Sequence, residues 1–370
     1  MSEHMRERGG GSGYSCGGCG ARVEYAAGTT VLRCPYCGFE QQVAAADREI
    51  REHDFAALAT LPRKPVATIG AHTFQCQKCG ARTESDALAQ RCQFCGSPLV
   101  VDVSLGEQIA PEAVLPFELD RGKMREALRK WVASRWLAPS SLKKVTEAET
   151  MRGTYLPHWT FDAKTVSDYA GRRGIDRTVT ETYTENGETR TRTRTVTHWT
   201  PAQGQVARDF DDVVVPATGH VDRKHLERLE PWPLEQAQPY QPEYLAGYHA
   251  LRYDTEPEAG LDAAKTEMAE VVKDDCKADI GGDHQEVNWV QTAYSDITYK
   301  LLLLPVWIAC YLHAGKTYHV LVNGRTGEVS GQRPWSPFKI AMAILLGLVI
   351  VAVIIFLIAT GSSHGNVRRR

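Results

Sequence analysis

Eight cysteines stand in four Cys-x-x-Cys-Gly pairs: Cys16 with Cys19, Cys34 with Cys37, Cys76 with Cys79, and Cys92 with Cys95. Fourteen residues separate the first two pairs and twelve the last two, which is the spacing of Cys₄ zinc ribbons over 14–42 and 71–103. Each tight turn brings two thiolates to one tetrahedral ion. The glycine after each pair supplies the positive φ that turns the backbone toward the sulfurs. A ribbon of this length buries too little apolar surface to fold alone, so metal binding supplies on the order of 10 kcal/mol of its folding free energy. With four protein ligands each, both Zn²⁺ ions are expected to be structural. A disulfide framework fits less well, because such scaffolds are small and follow an apolar leader. This chain has 370 residues and begins MSEHMRERGGGSGYS. The thiols are therefore expected in a reducing cytosol.

The elements around these sites are those of a folded chain, with 43% apolar and 24% charged residues and a net charge of −2. From Tyr14 to Val100, nine Lys and Arg face eight Asp and Glu. The ribbons thus lack the basic footprint of phosphate binding, and nucleic acid is the less favoured partner. Residues 1–13 read as a flexible tip. The linker 43–70 places Ile50, Phe55 and Leu58 at helical spacing, so an amphipathic helix is expected from Val43 to Leu61, ended by Pro62. His53 and His72 lie near the ribbons and are read as surface or packing residues, since four thiolates already complete each set.

At the other end, Ile340 to Ala359 is a run of 20 uncharged residues, about 30 Å long as a helix. The expectation is one transmembrane helix over 338–360 with a basic tail over 361–370. Arg368, Arg369 and Arg370 slightly favour a cytosolic tail, but moving ten residues is a smaller demand than exporting the whole body. The body is therefore expected in the cytosol, on the inner membrane.

Residues 104–337 read as an α+β domain. The run Arg121 to Trp136 is an amphipathic helix with Met124, Leu128, Trp131 and Val132 on one face, and Leu261 to Cys276 is a second helix. Each precedes a strand with a Leu-Pro-x-Trp core, Leu156-Pro157-His158-Trp159 and Leu304-Pro305-Val306-Trp307. A duplicated unit is expected, with the two strands paired in one antiparallel sheet. Between the copies, Glu185-Asn186-Gly187-Glu188 signals a type I′ hairpin over 177–198. A two-residue turn sets Tyr183 opposite Arg190, Glu181 opposite Arg192 and Val179 opposite Arg194, with threonines on the other face. Neither face is apolar, so the hairpin should protrude.

The sequence points to no catalytic residues. Gly315-Lys316-Thr317 lacks the first glycine of a phosphate-binding loop, Cys310 standing in its place. Cys276 and Cys310 are read as small apolar residues, their only histidine neighbours being ones the fold would have to supply: His284, His313 or His319. Asp209-Phe210-Asp211-Asp212 is read as a turn before a strand in preference to a divalent-cation site.

Together, the paired ribbons, Leu115-Pro116-Phe117, Tyr155-Leu156-Pro157-His158-Trp159, Phe210-Asp211-Asp212-Val213, Pro242-Glu243-Tyr244-Leu245-Ala246-Gly247 and Leu304-Pro305-Val306-Trp307 resemble a bacterial family of TFIIB-type zinc-ribbon proteins. Members often carry the automatic label primosomal protein N′ (replication factor Y). The resemblance implies no catalytic residues. It implies an adaptor that sits at the bilayer through 338–360 beside SPFH/band-7 or phage-shock-type proteins, and it leaves a homo-oligomer open. The alternative is a replication-associated nucleic-acid-binding module tethered to the membrane.

Overall fold

The computed structural model describes residues 14–60, 64–65, 72–85, 92–95, 97, 99–102, 107–135, 142, 151–185, 188–313, 316–332 and 337–364. The tip 1–13, the hairpin turn residues Asn186 and Gly187, and Arg368 to Arg370 lie outside them, as do Trp136, His313's side chain and parts of the linker.

The first ribbon is an antiparallel sheet of β1 (Glu24–Tyr25), β2 (Val31–Arg33) and β3 (Glu40–Gln42). Next come β4 (His53–Asp54) and β5 (Lys64–Pro65). The second ribbon contributes β6 (His72–Cys76), β7 (Arg82–Ser85) and β8 (Leu99–Asp102). After β9 (Glu107–Gln108), which pairs with β5, the body contains β10 (Ala113–Val114), α1 (Arg121–Ala133), β11 (Arg152–Glu185) and β12 (Glu188–Pro216). It continues through α2 (Arg223–Glu227), β13 (Gln238–Pro239), β14 (His249–Leu251), α3 (Pro257–Ile280), β15 (His284–His313), β16 (Lys316–Asn323), β17 (Val329–Gly331) and α4 (Pro337–His364).

The two Leu-Pro-x-Trp strands pair with each other. β11 and β15 run antiparallel with Leu156 opposite Leu304, Trp159 opposite Leu301 and Trp307 opposite Gly153, a local two-fold centred on the leucines. The surroundings repeat the symmetry. β14 lies parallel to β11 at Thr154 and Tyr155, as β10 does to β15 at Leu302 and Leu303. β12 returns along β11 as β16 returns along β15. The Trp159 indole N–H donates to the Thr255 carbonyl, the residue before α3's N-cap Glu256. Trp307 donates likewise to Leu119, the residue before α1's N-cap Asp120. Trp159 meets Tyr253 edge-on at 5.1 Å and Trp307 meets Phe117 edge-on at 5.2 Å. Each tryptophan therefore ties the start of its own helix to the sheet.

Three strands leave this core together. β12, β11 and β15 run side by side, and α3 covers one face through Leu261, Ala264, Met268, Val272, Cys276 and Ile280, a three-to-four-residue stripe. Tyr169 packs in the Val272, Cys276 and Ile280 cluster. Gly171 is required there, since a Cβ would come within 2.1 Å of the Glu286 carbonyl. β15 leaves the ladder at the His284–Gly174 pair, and β11 and β12 go on alone to the Glu185–Glu188 pair. The expected hairpin is thus the end of a longer arm. Its register is the expected one, with Tyr183 opposite Arg190, Glu181 opposite Arg192 and Val179 opposite Arg194, and its described side chains are exposed apart from the half-buried Thr197.

Three expectations need correction. Among its described residues the linker forms no α-helix: His53 and Asp54 pair with Tyr299 and Thr298 of β15, and Phe55 begins a 3₁₀ turn against Phe161 and Tyr299. Strand pairing and aromatic packing outweigh the helical spacing. Asp209 to Asp212 form no turn before a strand. They lie within β12, where Asp212 adopts a φ of 52° opposite the bulge between Phe161 and Ala163. Finally, 338–360 is helical as part of α4, but among the described residues no helix is long and apolar enough to cross a membrane. That finding overturns the transmembrane span and the inner-membrane localisation drawn from it.

Candidate metal centres

In each ribbon the four cysteines converge. Cys16, Cys19, Cys34 and Cys37 place their sulfurs within 4.8 Å of one another, and so do Cys76, Cys79, Cys92 and Cys95. Cys16 lies 3.5 Å from Cys37 and Cys19 3.6 Å from Cys34 in the first, and Cys76 3.4 Å from Cys95 and Cys79 3.5 Å from Cys92 in the second, sulfur to sulfur. Four sulfurs about 2.3 Å from one tetrahedral ion lie about 3.8 Å apart. A disulfide needs about 2.05 Å. Both quartets therefore fit a metal ion with thiolate ligands and no open position.

Local backbone makes this geometry. The Cys16, Cys34 and Cys76 carbonyls accept from the N–H groups of Gly20, Gly38 and Gly80, and those glycines have φ values of 73°, 73° and 77°. An L side chain there is strained. The N–H groups of Gly18 and Phe94 point at Cys16 Sγ and Cys92 Sγ, at 3.3 and 3.4 Å. Knuckle amides also act at Cys34, where the Cys37 amide, opposed by desolvation and joined by the Tyr36 amide, brings the thiol down to about 6, whereas at Cys92 desolvation outweighs the Cys95 and Phe94 amides and pushes the thiol up.

The ribbons differ in what their second knuckles touch. Phe94, third residue of Cys92-Gln93-Phe94-Cys95, is buried between two histidines. It stacks on His220 with centroids 5.6 Å apart and meets His319 edge-on at 6.4 Å, and His319 Nε2 donates to its carbonyl. His220 is held by Asp254 at 3.1 Å. β7 of the same ribbon also joins the body's sheet, pairing Thr83 and Glu84 with Leu251 and Ala250 of β14. In the first ribbon, Tyr36 occupies the position of Phe94 and is 82% exposed, and the neighbouring Phe39 is 44% exposed. In sequence these two aromatics stand at equivalent positions. Only the histidines brought in from 220 and 319 separate them.

A third cluster was not anticipated. Glu52, Asp162 and Asp212 bring carboxylate oxygens within 4.8 Å of one another. The Lys300 ammonium sits among them, bonded to Glu52 and Asp212, while Asp162 accepts from the Asp212 N–H at 2.7 Å and from Thr298 at 2.9 Å. The cation here is a lysine. Lys300 is buried, so Lys300→Met should destabilise the fold by about 3 kcal/mol by leaving carboxylates unpaired, measured by urea denaturation. Lys300→Arg should recover part of that loss.

The other sequence candidates separate. Cys276 is fully buried in the α3 interface, and desolvation followed by Asp275 and Asp279 pushes its thiol up. His284 pairs with Asp176 at 3.1 Å. The register sets Cys310 opposite His319, but the Cys310 side chain lies outside the described residues. His53 bonds Glu112 at 3.3 Å in a packing role, and the side chain of His72 lies outside the described residues. The two Leu-Pro-x-Trp copies lie on neighbouring strands, and both tryptophans are buried. A cavity of about 530 Å³ lies between the first ribbon and the body, bordered by Glu24, Tyr25, Arg33, Asp120, Gly153, Tyr248 and Trp307.

No family model and no solved structure matches the chain. It is similar to the uncharacterized protein YdjG of Bacillus subtilis (strain 168), 27% identical over 249 residues that cover 66% of this chain and 70% of that protein.

Proposed function

We propose that the chain is an adaptor held in shape by two structural zinc ions, and that its first ribbon presents Tyr36 and Phe39 to a protein partner. The supporting observation is the contrast between the two knuckles. Phe94 is spent inside the molecule, whereas Tyr36 at the same position is 82% exposed. Exposed aromatics on a rigid frame lose little entropy on docking and are common interface anchors. The nearby charges largely cancel, Arg33 being paired with Glu40 at 2.7 Å. A neutral rim suits a protein surface better than phosphate. Zinc fits the reading because it fixes the knuckle geometry without adding an open coordination site. The resemblance to TFIIB-type zinc-ribbon proteins agrees with an adaptor, with partners of the SPFH/band-7 or phage-shock type.

The test compares full-length wild type with Tyr36→Ser in crosslinked recovery from cells, with elemental analysis of both proteins. The expected result is two zinc ions in each and at least about a tenfold loss of the recovered partner in the variant, the effect of one interface anchor. Retention of single- or double-stranded DNA, falling steeply between two salt concentrations, would instead support the nucleic-acid reading.

A further inference from the structure

α3 stops before the arm does. Gly281, with φ of 63°, ends the helix, while β11 and β12 continue as a two-stranded ribbon from the Ile175–His198 pair to the Glu185–Glu188 pair. That stretch of β11 is about 35 Å long. No register shift interrupts the β11–β12 ladder beyond Ala163, so the alternation of faces carries through. Tyr169, bonded to Asp279 of α3, marks the face that α3 covers. The odd-numbered residues Ile175, Val179 and Tyr183 therefore extend that face into solvent, with Val196 across from Arg177. Val179, Tyr183 and Val196 are 40%, 43% and 37% exposed. The opposite face is threonine, with Thr178, Thr180 and Thr182 opposite Thr195, Thr193 and Thr191.

Charge says what fits the bare face. α3 has seven Asp and Glu against three Lys, and it grips the arm through Asp275, which holds the Arg208 guanidinium by both oxygens. Beyond α3 the same face carries Arg177, Arg190, Arg192 and Arg194 around the exposed apolar residues, with Glu181 paired to Arg194, Glu188 to Arg190 and Glu185 at the last register position, so that four arginines stand against three glutamates. The surface is an apolar strip with a surplus of arginine, continuous with one that already binds an acidic amphipathic helix. We propose that it docks a second such helix, an acidic amphipathic segment of a protein partner laid along the arm beyond α3. This site uses residues separate from Tyr36 and Phe39. Its failure would leave the ribbon reading standing, and the converse holds.

The probe is a synthetic, fluorescently labelled peptide with the α3 sequence, residues 257–280, titrated onto the full-length protein and followed by anisotropy. Saturable binding is expected, weakened at least about tenfold by Tyr183→Ser and by Val179→Asp, and unchanged by Thr180→Ser on the other face. All three positions are exposed, so the variants should retain the wild-type melting temperature, which is checked in parallel. Absence of saturable binding, or equal binding by the Tyr183 and Val179 variants, overturns the proposal. Equal binding of a scrambled peptide of the same charge also overturns it, because arginine attraction alone would then suffice. Competition by a DNA oligonucleotide at tenfold lower concentration than the unlabelled peptide would assign the face to nucleic acid and overturn it too.

Discussion

Replacing Cys92 with serine should remove one of two zinc ions per chain and disorder much more than one short ribbon. A structural zinc site contributes on the order of 10 kcal/mol, comparable with the whole stability of a typical domain, about 5–15 kcal/mol. The damage should spread because the second ribbon is built into the body. Cys76, Cys92 and Phe94 belong to one buried cluster with Leu156, Val306, Ile308 and Leu321 from the central strands. Loss of the metal withdraws Phe94 from between His220 and His319 and frees the edge of β14, which otherwise pairs with β7. The expected readings are one zinc by elemental analysis, a large fall in melting temperature and weaker near-ultraviolet circular dichroism. Cys276→Ser, outside both quartets, should keep two zinc ions and lose only about 1–3 kcal/mol. Acid should act in the same direction as Cys92→Ser, because thiolates must be deprotonated to hold the ion, so zinc is released as pH falls and retained as pH rises. A Cys92→Ser protein that still holds two zinc ions would refute the assignment.

The cysteine quartets are legible in sequence because their eight cysteines and the glycines with positive φ, Gly20, Gly38 and Gly80, sit within short, local turns. The hairpin register is legible for the same reason, a two-residue turn fixing every pair as far as Ala163, where the bulge shifts the ladder. The Leu-Pro-x-Trp pairing shows through as a repeated string. The reach of the arm does not show. Thr165, Ser167 and Gly171 face α3 from β11, and small or polar residues on the covered face hide the two-residue alternation that announces a half-buried strand. The linker misleads in the opposite way. Ile50 packs with Ala113 and Leu115, while Phe55 and Leu58 pack around Trp159 and Tyr299, so a helical spacing arises from two separate docking sites. The Lys300 cluster joins positions 52, 162, 212 and 300, of which only Asp212 lies in an acidic run that the sequence singles out.

Trp159 and Trp307 supply the most direct measure of whether the duplication is physical. Each is buried, each donates its indole N–H to the carbonyl preceding a helix N-cap, and each meets an aromatic ring edge-on. Alanine at either position should cost about 3–5 kcal/mol, the usual loss for a large core aromatic. Phenylalanine is the sharper probe. It keeps most of the apolar contact but removes the N–H, leaving the Thr255 or Leu119 carbonyl without that donor, at about 1–3 kcal/mol beyond the smaller volume loss. If the two tryptophans do the same work, Trp159→Phe and Trp307→Phe should lower stability by amounts within about 1 kcal/mol of each other in urea titrations. Hydrogen exchange should separate their local effects, Trp159→Phe speeding exchange at the start of α3 and Trp307→Phe at the start of α1. The helices themselves differ, α3 having 24 residues and α1 having 13. Equal losses from unequal helices would locate the shared energy in the tryptophan anchor. A difference of several kcal/mol would mean that the copies have diverged in energy while keeping the same geometry.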